Sequence, residues 1–217
     1  MRHVVWDWNG TLFDDQHLVV DGLNAVLDDA DLPRVDLATY QRLYTRPVRV
    51  FYERVFGRPV DDREWARIDD IFHDGYRAAM ERAGLATDAE AALDTLDEAG
   101  WSQSLLSMYP HDHLVPLVSQ LGIADRFARI DGLRGGGGGV KAPHLESHLE
   151  QLLAAPDVHD GDVIVVGDAL DDAAAAQHVG VDCVLYDGGA HARAHLEDVG
   201  VPVASTLTEA LHLAGLR

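Results

Sequence analysis

Four polar residues stand where short apolar segments end or a helix begins. They are Asp7, Ser107, Lys141 and Asp168. Because the carboxyl ends of parallel strands meet at one edge of a sheet, we expect these side chains to lie close together. Carboxylates from Asp7 and Asp168 repel each other unless a cation lies between them, and Mg²⁺ takes such oxygens together with a substrate phosphate. The residues alone therefore predict a pocket for a divalent cation and a phosphate.

The lysine in this set is the only one in the chain, since the 17 basic residues comprise 16 arginines and Lys141. On its own, the presence of a single lysine is explained by chance and does not indicate a function. Its place beside the polar strand ends favours a chemical role.

The chain after about residue 86 alternates between predicted strands and predicted helices, which is typical of βαβ units and a mostly parallel sheet. The predicted strands are 3–6, 101–107, 163–166 and 182–186, with weaker candidates at 127–130 and 201–204. The predicted helices are 88–99, 113–121, 143–153, 171–179 and 206–213.

Residues 16–84 differ, because their pattern is helical and contains no convincing strand. Helices are predicted at 17–29, 37–44, 48–56 and 63–82. We therefore expect an α/β fold, a Rossmann-like parallel sheet with an inserted helical cap. The predicted domains are a catalytic core of residues 1–15 and 85–217 and a cap of residues 16–84.

Composition excludes several classes of function. The 217 residues include 37 acidic and 17 basic side chains, a net charge of −20 that disfavours nucleic acid and anionic membranes as partners. A single cysteine excludes an intrachain disulfide and a Cys-rich zinc site. The sequence contains no apolar segment for a membrane span or signal peptide, so we expect a location in the cytoplasm. For the oligomeric state we expect a monomer or homodimer. The glycine run at 135–139 lacks the Gly-Lys-Ser/Thr of a phosphate-binding loop, so we interpret it as a flexible connection.

Four motifs in order resemble those of the haloacid dehalogenase-like (HAD) hydrolase superfamily with a type-1 helical cap, in its phosphoglycolate phosphatase-like branch. They are Asp7-Trp8-Asn9-Gly10-Thr11-Leu12-Phe13-Asp14, Ser107, Lys141 and Gly167-Asp168-Ala169-Leu170-Asp171-Asp172. The resemblance covers essentially the whole chain. It implies a Mg²⁺-dependent phosphohydrolase that acts on a small phosphorylated metabolite through an aspartyl-phosphate intermediate.

The resemblance also implies a role for each motif residue. Asp7 would be the nucleophile, Asp168 would bind the metal directly, and the Asn9 carbonyl would be a third metal ligand. Asp172 would support the metal or orient Lys141, whose charge offsets the repulsion between carboxylate and phosphate. Gly10, Thr11 and Ser107 would bind phosphate oxygens, whereas Asp171 is interpreted as a solvated acid at a helix start.

Two positions depart from the family pattern. Phosphatases of the family usually have Asp where this chain has Asn9, and an amide cannot exchange the proton that a general acid–base catalyst exchanges. The chain would then be slow or prefer esters with good leaving groups, unless a cap residue supplies the proton or the asparagine was introduced by mutation. Met108 replaces a frequent Asn and changes the polarity of the substrate pocket.

Several alternatives stay open at this stage. Arg46 and Arg49 are candidate substrate-binding cations of the cap, or else surface arginines. A haloacid dehalogenase-type C–X hydrolase would use the same aspartate without a metal, and a non-catalytic relative would bind phosphate or metal only. A phosphonate hydrolase would need a cap lysine, which is missing here. The pairs His111/His113, placed in a predicted loop, and His191/His195 are weak metal-site candidates.

Overall fold

Six strands run parallel in the main sheet of this computed structural model, which describes residues 2–135, 139–154 and 163–216. The strands are β1 (His3–Trp6), β4 (Ser102–Pro110), β5 (Ile130–Leu133), β6 (Val163–Gly167), β7 (Asp182–Tyr186) and β8 (Val203–Ala204). Their order across the sheet is β5-β4-β1-β6-β7-β8. The first strand is thus central, with β4 on one side and β6 on the other.

Helices alternate with the strands of this sheet along the chain. They are α5 (Ala89–Glu98), α6 (His111–Gln120), α7 (Ala142–Leu153), α8 (Leu170–Val179), α9 (Arg193–Glu197) and α10 (Leu207–Leu213). A separate antiparallel pair consists of β2 (Phe13–Asp14) and β3 (Gly84–Leu85). The fold class is therefore the α/β parallel-sheet core with an inserted helical cap that the sequence predicts.

The inserted segment consists of α1 (Gln16–Asp29), α2 (Leu37–Leu43), α3 (Val48–Phe56) and α4 (Asp62–Ala79). Helices α1 and α4 pack together, and a Cβ added to Gly75 would lie 3.3 Å from the Cα of Gly22. Apolar residues of all four helices form its core, among them Leu23, Tyr40, Phe51 and Ile68.

The chain divides into two compact units. The first comprises Met1–Asp14, Gly84–Gly189 and Arg193–Arg217, and the second comprises Asp15–Ala83 and Ala190–Ala192. The core of the first unit contains the buried aliphatic residues of β1, β6 and β7 together with the inner faces of α7 and α8. Among the described residues, no helix is both long enough and apolar enough to cross a lipid bilayer.

The structure differs from the sequence-based prediction in a few elements. Strand β5 begins at Ile130 rather than Phe127, because residues 124–126 form a 3₁₀ turn. His111 and His113 lie in the first turn of α6 and not in a loop. Gly84 lies in β3, although no strand was expected up to that residue, because two-residue strands carry too little pattern to predict. Of the glycine run, residues 136–138 lie outside the described part.

Candidate active site

The register of the sheet places the ends of β1, β4 and β6 side by side. Trp6 pairs with Leu105 of β4 and with Val166 of β6, and the Asp7 amide donates to the Val166 carbonyl at 2.8 Å. The residues that follow these strands, Asp7, Ser107 and Asp168, therefore emerge at the same edge. This is the arrangement predicted from the strand ends.

The loop after Asp7 folds back on itself. The Thr11 and Phe13 amides donate to the Trp8 carbonyl at 3.1 and 2.9 Å, and the Gly10 amide donates to the Phe13 carbonyl at 2.9 Å. Gly10 has a φ of 77°, a conformation that glycine adopts without strain. The turn brings the buried Thr11 hydroxyl to 3.4 Å from a carboxylate oxygen of Asp7 and 3.4 Å from one of Asp168.

Three buried carboxylates converge on this edge. Asp7, Asp168 and Asp172 each present an oxygen within 4.8 Å of the oxygens of the other two. The Lys141 ammonium donates to Asp7 and, at 2.5 Å, to Asp172. The lysine is 4% exposed and Asp172 is 1% exposed, so bulk water does not screen this ion pair.

Asp172 contributes to the site from the first turn of α8. Its second carboxylate oxygen accepts a hydrogen bond from the Ala169 amide at 3.0 Å, which caps the helix. One oxygen therefore fixes the start of α8 and the other orients Lys141, which directly precedes α7. Asp171 also lies in the first turn of α8 and is partly buried rather than fully solvated.

The pKa values show how strongly these charges interact. Burial raises the pKa of Asp7 to about 7; the positive charge of Lys141 opposes this and the negative charge of Asp172 adds to it. Burial works against the charge of Lys141, but Asp172 and Asp7 outweigh it and raise the lysine pKa above its usual value. The lysine is consequently a fixed positive charge at any physiological pH.

Two glycines let the carboxylates approach the sheet edge. A Cβ on Gly167 would lie 2.3 Å from the Asp172 carboxylate, and one on Gly189 would lie 2.0 Å from the Asp168 carboxylate. The sequence motif includes Gly167, whereas Gly189 was not predicted as a site residue. The signal for it was the Gly188-Gly189 pair shortly after the predicted strand at 182–186.

Ser107 lies beside the first motif. Its hydroxyl donates to the Asn9 side-chain oxygen at 3.4 Å and accepts from the Tyr109 amide at 2.9 Å. Strand β4 continues past Ser107 to Pro110, so the partly buried Met108 belongs to the strand. Ser107 thus contacts the loop that follows Asp7, and the roles of Ser107, Asn9 and Gly10 in binding stay predictions.

The candidate substrate arginines lie in the second unit. Arg46 is exposed, whereas Arg49 is partly buried. The Arg49 guanidinium donates to the Val60 carbonyl at 3.1 Å and to Asp62 at 2.7 Å, so contacts within the cap orient it. A substrate-binding role for either arginine stays a prediction.

The donor set fits a divalent cation. Three carboxylates against one ammonium leave two negative charges, which one divalent ion balances. Carboxylate oxygens are the ligands that hard cations such as Mg²⁺ prefer. Burial, the main cause of the raised pKa of Asp7, and the negative charge of Asp172 both favour a proton or a cation at this carboxylate.

Fold and site together define an α/β enzyme whose acidic residues converge at the carboxyl edge of a parallel sheet. Residues 1–180 match the family model of the haloacid dehalogenase-like hydrolases. The chain therefore belongs to the haloacid dehalogenase-like hydrolase family.

Comparison with curated proteins finds phosphoglycolate phosphatases. The chain is 29% identical over 188 residues to a phosphoglycolate phosphatase from Yersinia pseudotuberculosis. This alignment covers 85% of this chain and 80% of that protein. The chain is thus a hydrolase similar to phosphoglycolate phosphatases.

Solved structures show that the fold is shared widely. A haloacid dehalogenase-like family hydrolase from Streptococcus pneumoniae matches with a TM-score of 0.79 at 18% identity, over 98% of this chain and 97% of that one. Protein tyrosine kinase A from Mycobacterium tuberculosis matches with a TM-score of 0.76 at 21% identity, over 99% and 98%. Because a hydrolase and a kinase share this fold, the reaction has to be argued from the site.

Proposed function

We propose that this protein is a Mg²⁺-dependent phosphatase that hydrolyses small phosphate monoesters through an aspartyl-phosphate on Asp7. The observation that supports it most is the buried set of three carboxylates with Lys141 between Asp7 and Asp172. The phosphatase relatives support the same class of reaction.

Asp7 and Asp168 would bind the magnesium ion, with the Asn9 backbone carbonyl as a further ligand. Asp172, whose two oxygens accept from Lys141 and the Ala169 amide, would orient Lys141 rather than bind the ion directly. When bound, Mg²⁺ would offset the repulsion between the Asp7 carboxylate and the substrate phosphate and stabilise charge on the transferring group.

The proposed reaction has two steps. In the first, a carboxylate oxygen of Asp7 forms a bond to phosphorus while the bond to the ester oxygen breaks, and the alcohol leaves after taking a proton from water. In the second, water attacks phosphorus, the Asp7 carboxylate is released, and inorganic phosphate and a proton depart. Lys141, Ser107 and Thr11 would bind the phosphoryl oxygens in both steps.

Asn9 determines the expected rate. A general acid–base residue typically contributes about 10²- to 10⁴-fold, and an amide contributes none of it. We therefore propose slow turnover, fastest for esters whose leaving group needs no protonation. Met108 would give this part of the pocket a less polar surface.

The wider assignments are part of the same proposal. Residues 1–15 and 85–217 would form the catalytic core and residues 16–84 the cap, with Arg46 and Arg49 binding the substrate's own anionic group. The substrate would be a small phosphorylated metabolite of the cytoplasm, and the enzyme a monomer or homodimer.

An aryl phosphate assay tests the proposal. We expect phosphate release that requires Mg²⁺ and disappears in Asp7→Asn, while an exposed control, Asp198→Asn, keeps it. Halide release from a haloacid in the presence of a chelator would instead indicate a dehalogenase. Phosphate binding in calorimetry without turnover of any activated ester would indicate a non-catalytic relative. Either result would overturn the phosphatase assignment.

A further inference from the structure

A chain of hydrogen bonds, buried at its centre, links β1 and β4 to α7. His3 Nδ1 lies 2.6 Å from the Ser102 hydroxyl, and His3 Nε2 lies 2.8 Å from the Ser104 hydroxyl. The same Ser104 hydroxyl lies 2.8 Å from His148 Nε2, and His148 Nδ1 lies 2.7 Å from a carboxylate oxygen of Asp131. We call these five residues the Ser–His chain.

The Ser–His chain joins the elements that bear the catalytic groups. His3 lies in β1, which directly precedes Asp7, and Ser104 lies in β4, which contains Ser107. His148 lies in α7, and Lys141 is the residue directly before this helix. His148 lies seven positions after Lys141, which is about two helical turns and returns to the same face of the helix. The Ser–His chain thus connects α7 to β1 and β4 on the same side of the helix as Lys141.

Nothing in packing alone calls for a histidine at this place. Among the described side chains of α7, Leu145, Leu149 and Leu152 are the other buried ones, and His148 is only 1% exposed among them. A buried polar group without its hydrogen bonds is costly, and an apolar side chain would avoid that cost. A fully bonded polar network, in contrast, favours one arrangement of the helix over shifted ones.

The groups at the two ends of the chain are held in one ionisation state. Burial opposes ionisation of Asp131, but hydrogen bonds from His148 and Arg129 outweigh it and lower its pKa to about 2, so the carboxylate accepts from His148 Nδ1. Burial, followed by the charge of His148, lowers the pKa of His3 to about 3. Between them, the Ser104 hydroxyl lies within hydrogen-bonding distance of both Nε2 atoms and so bridges the two rings.

We propose that the Ser–His chain positions Lys141 for the reaction, by fixing α7 against β1 and β4 so that the ammonium lies between Asp7 and Asp172. His3, Ser104 and His148 are positioning residues and not catalytic residues, because their side-chain hydrogen bonds are to one another, to Ser102 and to Asp131. The effect on catalysis rests on the proposed phosphatase function, whereas the position of Lys141 does not.

Replacing Ser104 by valine and by threonine tests this proposal. The two side chains have nearly the same shape and differ in the hydroxyl that links His3 to His148. Because Lys141 is the only lysine, labelling with ¹³Cε- and ¹⁵Nζ-lysine gives a single side-chain signal from the active site. We expect Ser104→Val to shift or broaden that signal, and Ser104→Thr and the exposed control His178→Gln to leave it at the wild-type position.

Rates provide the second readout. A displacement of about 1 Å at a reacting group costs on the order of 10²-fold in rate, so turnover at saturating substrate should fall by about this factor in Ser104→Val and recover in Ser104→Thr. If the Val and Thr variants give the same lysine signal, the proposal is wrong whatever their rates. If the wild-type protein has no phosphatase activity, the proposed function fails, and the lysine signal still decides the positioning role.

A measurement on the unaltered protein remains decisive if Ser104→Val does not fold. Nitrogen-15 NMR of the histidine rings at neutral pH should show both ring nitrogens of His3 and of His148 in hydrogen bonds to protein groups. Ring nitrogens of His3 or His148 that behave as those of a water-exposed imidazole would show that the Ser–His chain does not form and would overturn the proposal.

Discussion

Lys141 and Asp172 are 31 positions apart in the chain, and their side chains meet at 2.5 Å with exposures of 4% and 1%. Asp172 also caps α8, so the same carboxylate defines where α8 begins and where the ammonium lies. The Lys141–Asp172 ion pair therefore links the stability of the fold to the geometry of the site.

Lys141→Met should destabilise the protein strongly. Removal of one partner from a buried ion pair costs about 3–5 kcal/mol, and here it leaves three buried carboxylates without their ammonium. We expect a lower urea midpoint in the presence of a chelator and partial recovery with Mg²⁺. Arg82→Met, which breaks the exposed pair with Asp21, should change the midpoint little. A Lys141→Met variant as stable as wild type in chelator would contradict this account of the pair.

Magnesium should stabilise the folded protein. A ligand that binds only the folded state adds about 2.7 kcal/mol at 100 times its Kd, so Tm should rise with Mg²⁺ concentration. Asp168→Asn should remove most of that rise, because the variant loses a charged ligand. Asp198→Asn is the matched control at an exposed position and should keep it. An unchanged Mg²⁺ response in Asp168→Asn would exclude Asp168 as a ligand.

Asn9→Asp should accelerate turnover. The carboxyl group restores a proton donor and acceptor, and the gain should lie between about 10² and 10⁴ for esters with poor leaving groups. For activated aryl esters the gain should be smaller, since these leave without protonation. Asn9→Ala, which also removes the amide but supplies no acid, should stay slow. An Asn9→Asp rate at or below wild type would show that the amide does not limit the reaction.

Stability should fall as the pH drops from 6.5 towards 3. Burial, followed by the charge of His148, lowers the pKa of His3 from 6.5 to about 3. In that range the unfolded chain binds a proton at His3 and the folded chain does not, so folding becomes less favourable as the pH falls. A full titration difference of one proton corresponds to about 1.4 kcal/mol per pH unit.

Urea unfolding of wild type and His3→Gln across this range measures the effect. The Gln variant is less stable at neutral pH but lacks the titrating group, so its stability should depend less steeply on pH. Equal slopes for both proteins would mean that His3 is protonated in the folded state.

The sequence predicts which polar residues meet at one edge of the sheet, because the order and direction of the strands determine this. Once β1, β4 and β6 are parallel neighbours, Asp7, Ser107 and Asp168 have to meet, and no side-chain detail is needed. Lys141 is predicted by its helix start and its uniqueness. The boundaries of α1 and β7 are also predicted closely, those of α1 from its hydrophobic periodicity and those of β7 from its short apolar run.

Other features depend on contacts between distant parts of the chain. The close approach of Gly189 to Asp168 and the link between Ser104 and His148 arise from tertiary packing, which composition and periodicity do not encode. The sequence does contain a signal for His148, because this histidine lies on the apolar face of a predicted helix. It contains no signal for the pairing of β2 with β3, because two residues are too few to show alternation.

The most direct test of the account is to find the phosphoryl group on the enzyme. An aryl phosphate is mixed with protein and Mg²⁺, the reaction is quenched in acid during turnover, and peptides are analysed by mass spectrometry. We predict one added phosphoryl group on the peptide that contains Asp7, present with Mg²⁺ and absent in Asp7→Asn. A phosphoryl group on another residue, or undiminished turnover by Asp7→Asn, would contradict the central claim.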